Sequence, residues 1–228
     1  MLPELERHQL AWCERAAACA ARLPHGSCTP EEEAIVLLGD WIRAERPLIV
    51  ARQSQEYRCG ADRVVLGLPL PLAQGKRRLA FSIPRAQIAR LSPPPRLFEV
   101  RRAMPALWQP AVDQLLASSQ IVAAAPRVYG SAAMQALTGE VCMDDRSDLD
   151  LLFSPAAWPD VMLLVDTLAR ISADDKGRRI DGEIRAPSGK AVAWRELSQR
   201  PSRLLCKHLR GAELIDTEAY ASEFADAY

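Results

Sequence analysis

VYGSAAMQALTGEVCMDDRSDLDLLF, residues 128–153, decides the fold of the second half of this chain. An apolar pair, Val128 and Tyr129, breaks at Gly130-Ser131, where Ser131 is placed to cap the helix AAMQALTG and Gly139 to terminate it. A polar loop, EVCMDDRS, leads into DLDLLFS, which reads as a strand. Its two-residue period puts Leu149, Leu151 and Phe153 on one face and Asp148, Asp150 and Leu152 on the other. Two carboxylates therefore stand side by side on a strand.

Like charges so close repel, and each raises the other's pKa unless a cation sits between them. Oxygen-only ligands on a rigid strand suit Mg²⁺ (or Mn²⁺), which takes one or two carboxylates together with waters and substrate phosphates. Gly130 permits close backbone approach, and the free amides at the following helix start attract phosphate. A third carboxylate is sought on the next strand, RRIDGEIRAP, where Asp181 and Glu183 share a face. Asp181 is preferred because it precedes Gly182. Phosphate cradle plus metal carboxylates predicts phosphoryl or nucleotidyl transfer.

Outward from this stretch, PALWQPAVDQLLASS and WPDVMLLVDTLARIS carry helical periodicity, and RPSRLLCKHLRG reads as a closing helix with a basic face. Alternating strands and helices predict an α/β order with a mixed sheet for this half. Three consecutive prolines in SPPPRL, residues 92–97, mark a boundary between a domain at 1–95 and one at 96–228. Upstream, Thr29 as N-cap, Pro30 and the acids Glu31, Glu32 and Glu33 open a helix that stops before Pro47. PLIVARQ, DRVVLGLPL and RRLAFSIP read as strands, with LAQGKRR as the turn between the last two. The first domain is thus predicted to be small and α+β.

With 49% hydrophobic residues the 228-residue chain can fill a real core. No apolar run approaches the ~18–20 residues that cross a bilayer, and MLPELERHQL lacks the pattern of a signal peptide. No membrane association and a cytoplasmic location are expected. The six cysteines show no CxxC and read as reduced thiols, with Cys13, Cys19 and Cys28 as buried helix residues and no metal between them and His25. Residues 1–115 hold 16 Lys/Arg against 12 Asp/Glu, and residues 116–228 hold 13 against 17. That asymmetry is too mild for a nucleic-acid enzyme, and 6% aromatics offer few stacking platforms.

Gly130-Ser131 followed by Asp148-Leu149-Asp150 resembles the GS…DxD signature of the DNA polymerase β-like nucleotidyltransferases. Sixteen residues separate Ser131 from Asp148, longer than the general pattern. YGSAAMQALTG, SDLDLLF, RIDGEI and PSGKAVAWREL, with RPLIVARQ and LGLPLPLAQGKRRLAFSI, are similar to the malonate decarboxylase holo-acyl-carrier-protein synthases, from about Pro47 to about Leu214. The resemblance implies a transferase that takes 2′-(5″-triphosphoribosyl)-3′-dephospho-CoA as donor. Its acceptor would be a serine of the acyl-carrier subunit of malonate decarboxylase, with pyrophosphate released. The family's catalytic aspartates fall on Asp148 and Asp150. In a two-metal scheme these two and Asp181 are the ligands. Gly130 and Ser131 would hold the β and γ phosphates, with Arg127, Lys207, His208 and Arg210 as neutralising cations. A nucleotidyltransferase acting on a small molecule or RNA, and a non-catalytic nucleotide-binding module, remain open at this point. Lys76, Arg77 and Arg78, with Arg96, Arg101 and Arg102, are the candidate docking charges for an acidic carrier. The oligomeric state is not legible.

Overall fold

Glu31, Glu32 and Glu33 occupy the first turn of a helix over Glu31–Arg43, where their charge complements the positive end of its dipole. This helix anchors the first of two units in the computed structural model, which describes residues 4–24, 29–54, 60–174 and 179–224. Contacts group Met1–Pro94 with Leu209–Gly211, and Pro95–His208 with Ala212–Tyr228.

In the first unit, β1 (Leu10–Cys13), β2 (Leu48–Val50), β3 (Arg63–Pro69), β4 (Arg78–Pro84) and β5 (Ile88–Ser92) form an antiparallel sheet in the order β4-β3-β2-β1-β5. A short helix, α1 (Ala17–Ala20), precedes α2 (Glu31–Arg43). Leu38 and Trp41 of α2 and Leu48, Leu66, Leu68 and Phe81 of the sheet are buried. Each such side chain contributes about 1.5–3 kcal/mol relative to exposure. Three expectations are corrected here. The N-cap of α2 is Pro30 and no side chain caps it, so Thr29 does not take that role. Cys13 lies in a strand and Cys19 is exposed, so neither is a buried helix cysteine. β1 and β5 were not anticipated, because four or five residues beside turns carry too little alternation to stand out. Cys28 and His25 lie outside the described residues.

In the second unit, β6 (Arg127–Tyr129), β7 (Leu149–Phe153), β8 (Ile180–Arg185), β9 (Ala191–Ala193), β10 (Arg203–Lys207) and β11 (Ala212–Asp216) form a sheet ordered β11-β10-β9-β8-β7-β6. β7 and β8 run parallel, and every other described pair in it is antiparallel. Seven helices are described in it: α3 (Leu97–Val100), α4 (Gln109–Ala117), α5 (Ser119–Ala123), α6 (Gly130–Thr138), α7 (Trp158–Asp174), α8 (Trp194–Ser198) and α9 (Thr217–Ser222). α7 makes the crossover that a parallel pair requires. Its Val161, Leu164, Val165 and Leu168 recur at helical spacing and join Leu149, Leu151 and Phe153 in one core. An antiparallel first sheet and a mixed second sheet make this the α+β class read from the sequence. Among the described residues, no helix is long and apolar enough to cross a membrane.

The closing helix expected over RPSRLLCKHLRG is a hairpin instead, β10 paired with β11 from Arg203↔Asp216 to Lys207↔Ala212. Leu204, Leu205, Cys206 and Leu209 satisfy a helical period nearly as well as a strand period. Pairing with β9 and β11 decides it by burying Leu204 and Cys206 on one face and leaving Leu205 exposed.

Candidate active site

Tyr129 ends β6 and is the N-cap of α6, and Gly130, the first helical residue, has φ of +68°. The corner is tight enough to require glycine, since a Cβ at Gly130 would fall on the Asp150 carboxylate, 3.1 Å from its Cγ. No side chain caps α6, so Ser131 does not take the capping role read from the sequence. The first amides of the nine-residue α6 therefore lack helical acceptors, and they open beside Asp150. Gly139, in the left-handed conformation, ends the helix as expected.

The loop that returns to β7 is pinned by its own polar groups. Gln135 accepts at Oε1 from the backbone N–H of Cys142 and of Met143, both at 3.1 Å, and donates from Nε2 to the Ala103 carbonyl at 2.7 Å. The Asp144 N–H donates to Ser147 Oγ at 2.9 Å, and Ser147 Oγ donates back to Asp144 Oδ1 at 3.0 Å. This box sets the direction in which Asp148 enters the sheet. Gln135, Asp144 and Ser147 escaped the sequence reading, although the Asp-x-x-Ser spacing is a recognisable local motif.

The parallel ladder then places the acids. Asp150 is opposite Asp181, Leu151 opposite Gly182, and Leu152 opposite Glu183. Tyr129 faces Asp150 from the other side. Cross-strand neighbours share a face, so Asp150 and Asp181 point the same way. Gly182 is required for that register, because a Cβ there would come within 2.9 Å of the Leu151 carbonyl carbon. Asp181 accepts at Oδ1 from the Gly182 N–H at 2.9 Å, which orients its other oxygen outward.

Arg179 completes this edge, and it was not singled out from the sequence. Its carbonyl accepts from the Leu149 N–H at 3.0 Å, which sets Arg179 beside Asp148 where the ladder begins. The guanidinium lies 3.2 Å from Asp181 Oδ2 and 3.8 Å from Asp148 Oδ2. Three carboxylates and one guanidinium thus share one edge.

Residues 96–218 match the family model described as phosphoribosyl-dephospho-CoA transferase MdcG C-terminal domain, and residues 6–94 match the corresponding N-terminal domain. The chain belongs to the phosphoribosyl-dephospho-CoA transferase family. The phosphoribosyl-dephospho-CoA transferase of Xanthomonas campestris pv. campestris strain 8004 is 36% identical over 220 residues, covering 95% of this chain and 97% of that one. That of Bradyrhizobium diazoefficiens is 36% identical over 186 residues, covering 82% and 80%. No solved structure matches the chain.

Within this transferase, the other sequence candidates are distributed unevenly. Glu183 is buried and accepts an ion pair from Lys207 Nζ at 3.0 Å, so the two neutralise one another. Arg127 is opposite Leu152 on β6, two residues from Tyr129 on the same face of the sheet. His208 follows β10, and Arg210 lies in the Leu209–Gly211 segment that groups with the first unit. Among the described residues, no three His, Cys, Asp or Glu side chains are gathered closely enough to enclose a metal ion. Asp148, Asp150 and Asp181 are oxygen donors of the type that a hard divalent cation takes, with Asp150 opposite Asp181 on the ladder and Asp148 just ahead of β7. Their present side-chain arrangement accommodates the Arg179 cation.

Proposed function

We propose that this transferase attaches the phosphoribosyl-dephospho-CoA unit of 2′-(5″-triphosphoribosyl)-3′-dephospho-CoA to a serine of the acyl-carrier subunit of malonate decarboxylase, in the cytoplasm. The observation that carries this reading is the meeting of Asp150 with Asp181 across the parallel ladder, directly beside the glycine start of α6. Anion-binding amides and a carboxylate edge in contact are what transfer from a triphosphate needs.

In this reading the serine hydroxyl attacks the α-phosphorus in line. The Oγ–P bond forms as the bond to the bridging oxygen of the β-phosphate breaks, pyrophosphate leaves, and the hydroxyl proton passes to water. The amides of Gly130 and Ser131 hold the β and γ phosphates, and Arg127 and His208 are the candidate cations near the same sheet. Lys207 is a weaker candidate than its charge suggests, since Glu183 already neutralises it. Asp148, Asp150 and Asp181 would hold Mg²⁺ or Mn²⁺. Such an ion, when bound, offsets triphosphate charge and favours the serine alkoxide. Much of the remaining barrier is positioning, which the rigid β7–β8 ladder supplies.

We further assign carrier docking to the first unit, whose basic residues Lys76, Arg77 and Arg78 offer charge to an acidic partner. Arg77 is already paired with Glu33 at 2.8 Å, which leaves Arg78 as the stronger contributor of those two arginines. Pyrophosphate release tests the whole reading. It should require donor, carrier subunit and a divalent cation together. Equal release with RNA or a small alcohol in place of the carrier would contradict it.

A further inference from the structure

Asp148 and Asp181 meet at one guanidinium, that of Arg179, and Asp150 stands opposite Asp181 on the ladder. The Arg179 Nη2 is 3.2 Å from Asp181 Oδ2 and its Nε is 3.8 Å from Asp148 Oδ2, so one guanidinium bridges acids from two adjacent strands. The side chain is nevertheless 61% exposed. An ion pair so open to solvent is weak, and the arginine can leave it at little cost. If Asp148 and Asp181 held a divalent ion, it would supply charge to the same carboxylates, and it and the guanidinium would repel one another at that range.

We propose that Arg179 is a built-in counter-ion that holds the Asp148 and Asp181 carboxylates together in the absence of a divalent cation and gives way when one binds. This inference rests on the reading of the three aspartates as metal ligands. It assigns Arg179 a positioning role: in the metal-free protein it offsets repulsion between acids that α6 and the β7–β8 ladder force together. Metal and guanidinium then compete for the same oxygens. Each must weaken the other's hold by the same factor.

The test is Mn²⁺ binding, followed by electron paramagnetic resonance on the full chain, for wild type, Arg179→Gln and Arg203→Gln. Arg203 lies on β10, two strands from β8, and pairs with Asp216, so its loss removes the same charge without touching the acidic edge. Arg179→Gln should lower the Mn²⁺ Kd about two- to fivefold, the span that an exposed ion pair is worth. Arg203→Gln should leave it nearly unchanged. In EDTA, Arg179→Gln should also melt below wild type, and saturating Mn²⁺ should close that gap. Equal or weaker Mn²⁺ binding in Arg179→Gln would overturn the counter-ion role while leaving the metal reading intact. Failure of both wild type and Arg179→Gln to bind Mn²⁺ would remove the metal reading, and this inference with it.

Discussion

The Asp150 carboxylate lies against the α-carbon of Gly130, in the space a side chain would fill at the first residue of α6. One contact thus joins the glycine start of α6 to the strand that carries Asp150. Gly130→Ala should displace Asp150 and strain a backbone at φ of +68°. A stability loss of about 1–3 kcal/mol is expected from the strain and the clash. Transfer should fall far more than that loss explains. Thermal melting and turnover, measured on the same preparation, check it; a variant with normal turnover would separate the helix start from the chemistry.

Asp181 and Glu183 differ in their surroundings although they share a face. Asp181 is partly exposed beside Asp150, and Glu183 is buried against Lys207. Asp181→Ala should therefore cost about 3 kcal/mol or more of transition-state stabilisation with little change in melting. Glu183→Gln should do the reverse, costing about 1–3 kcal/mol of stability by stranding a charge partner, with kcat nearly kept. The opposite pattern in paired kinetic and melting data would move the catalytic role to Glu183.

What the sequence revealed and what it hid follow from the range of each interaction. Gly130, Asp148 and Asp150 were legible because a turn residue and a two-residue period are local signals. Asp181 was legible as the preferred candidate from the glycine that follows it, but its place opposite Asp150, and the pairing of Glu183 with Lys207, needed the register of β7 against β8 and the tertiary fold. Arg179 was hidden because an arginine just ahead of a strand looks like any solvated charge until that register sets it beside Asp148. The β10–β11 hairpin was hidden for a different reason, since a run with Leu204, Leu205, Cys206 and Leu209 fits either period and only tertiary pairing chooses.

Carrier docking through the basic turn predicts a salt-sensitive acceptor step. Association should slow as the Debye length falls below ~8 Å, while donor affinity changes less. Reversing Lys76 and Arg78 to glutamate should raise KM for the carrier several-fold and spare KM for the donor. An unchanged carrier KM in that double variant would put the docking surface elsewhere.

The thiols provide a test of the fold that does not depend on catalysis. Burial, and secondarily the nearby Glu14, push the Cys13 thiol up to about 12, and burial pushes Cys206 up to about 11. At pH 8 both should remain protonated and react slowly with a maleimide, whereas the exposed Cys19 should be labelled quickly. Peptide mass spectrometry resolves the three. Cys206 labelled as fast as Cys19 in the native protein would contradict the buried β10.

The central claim is that Asp148 and Asp150 serve transfer to a carrier serine, and the intact mass of the carrier subunit tests it most directly. Incubated with donor, Mg²⁺ and the wild-type transferase, the carrier should gain the mass of one phosphoribosyl-dephospho-CoA unit. With Asp148→Asn or Asp150→Asn it should gain none, although each variant should melt at or slightly above the wild-type temperature in EDTA, because one of several repelling charges is gone. A carrier modified at near wild-type rate by either variant at saturating Mg²⁺, or left unmodified by the wild type, would contradict the account.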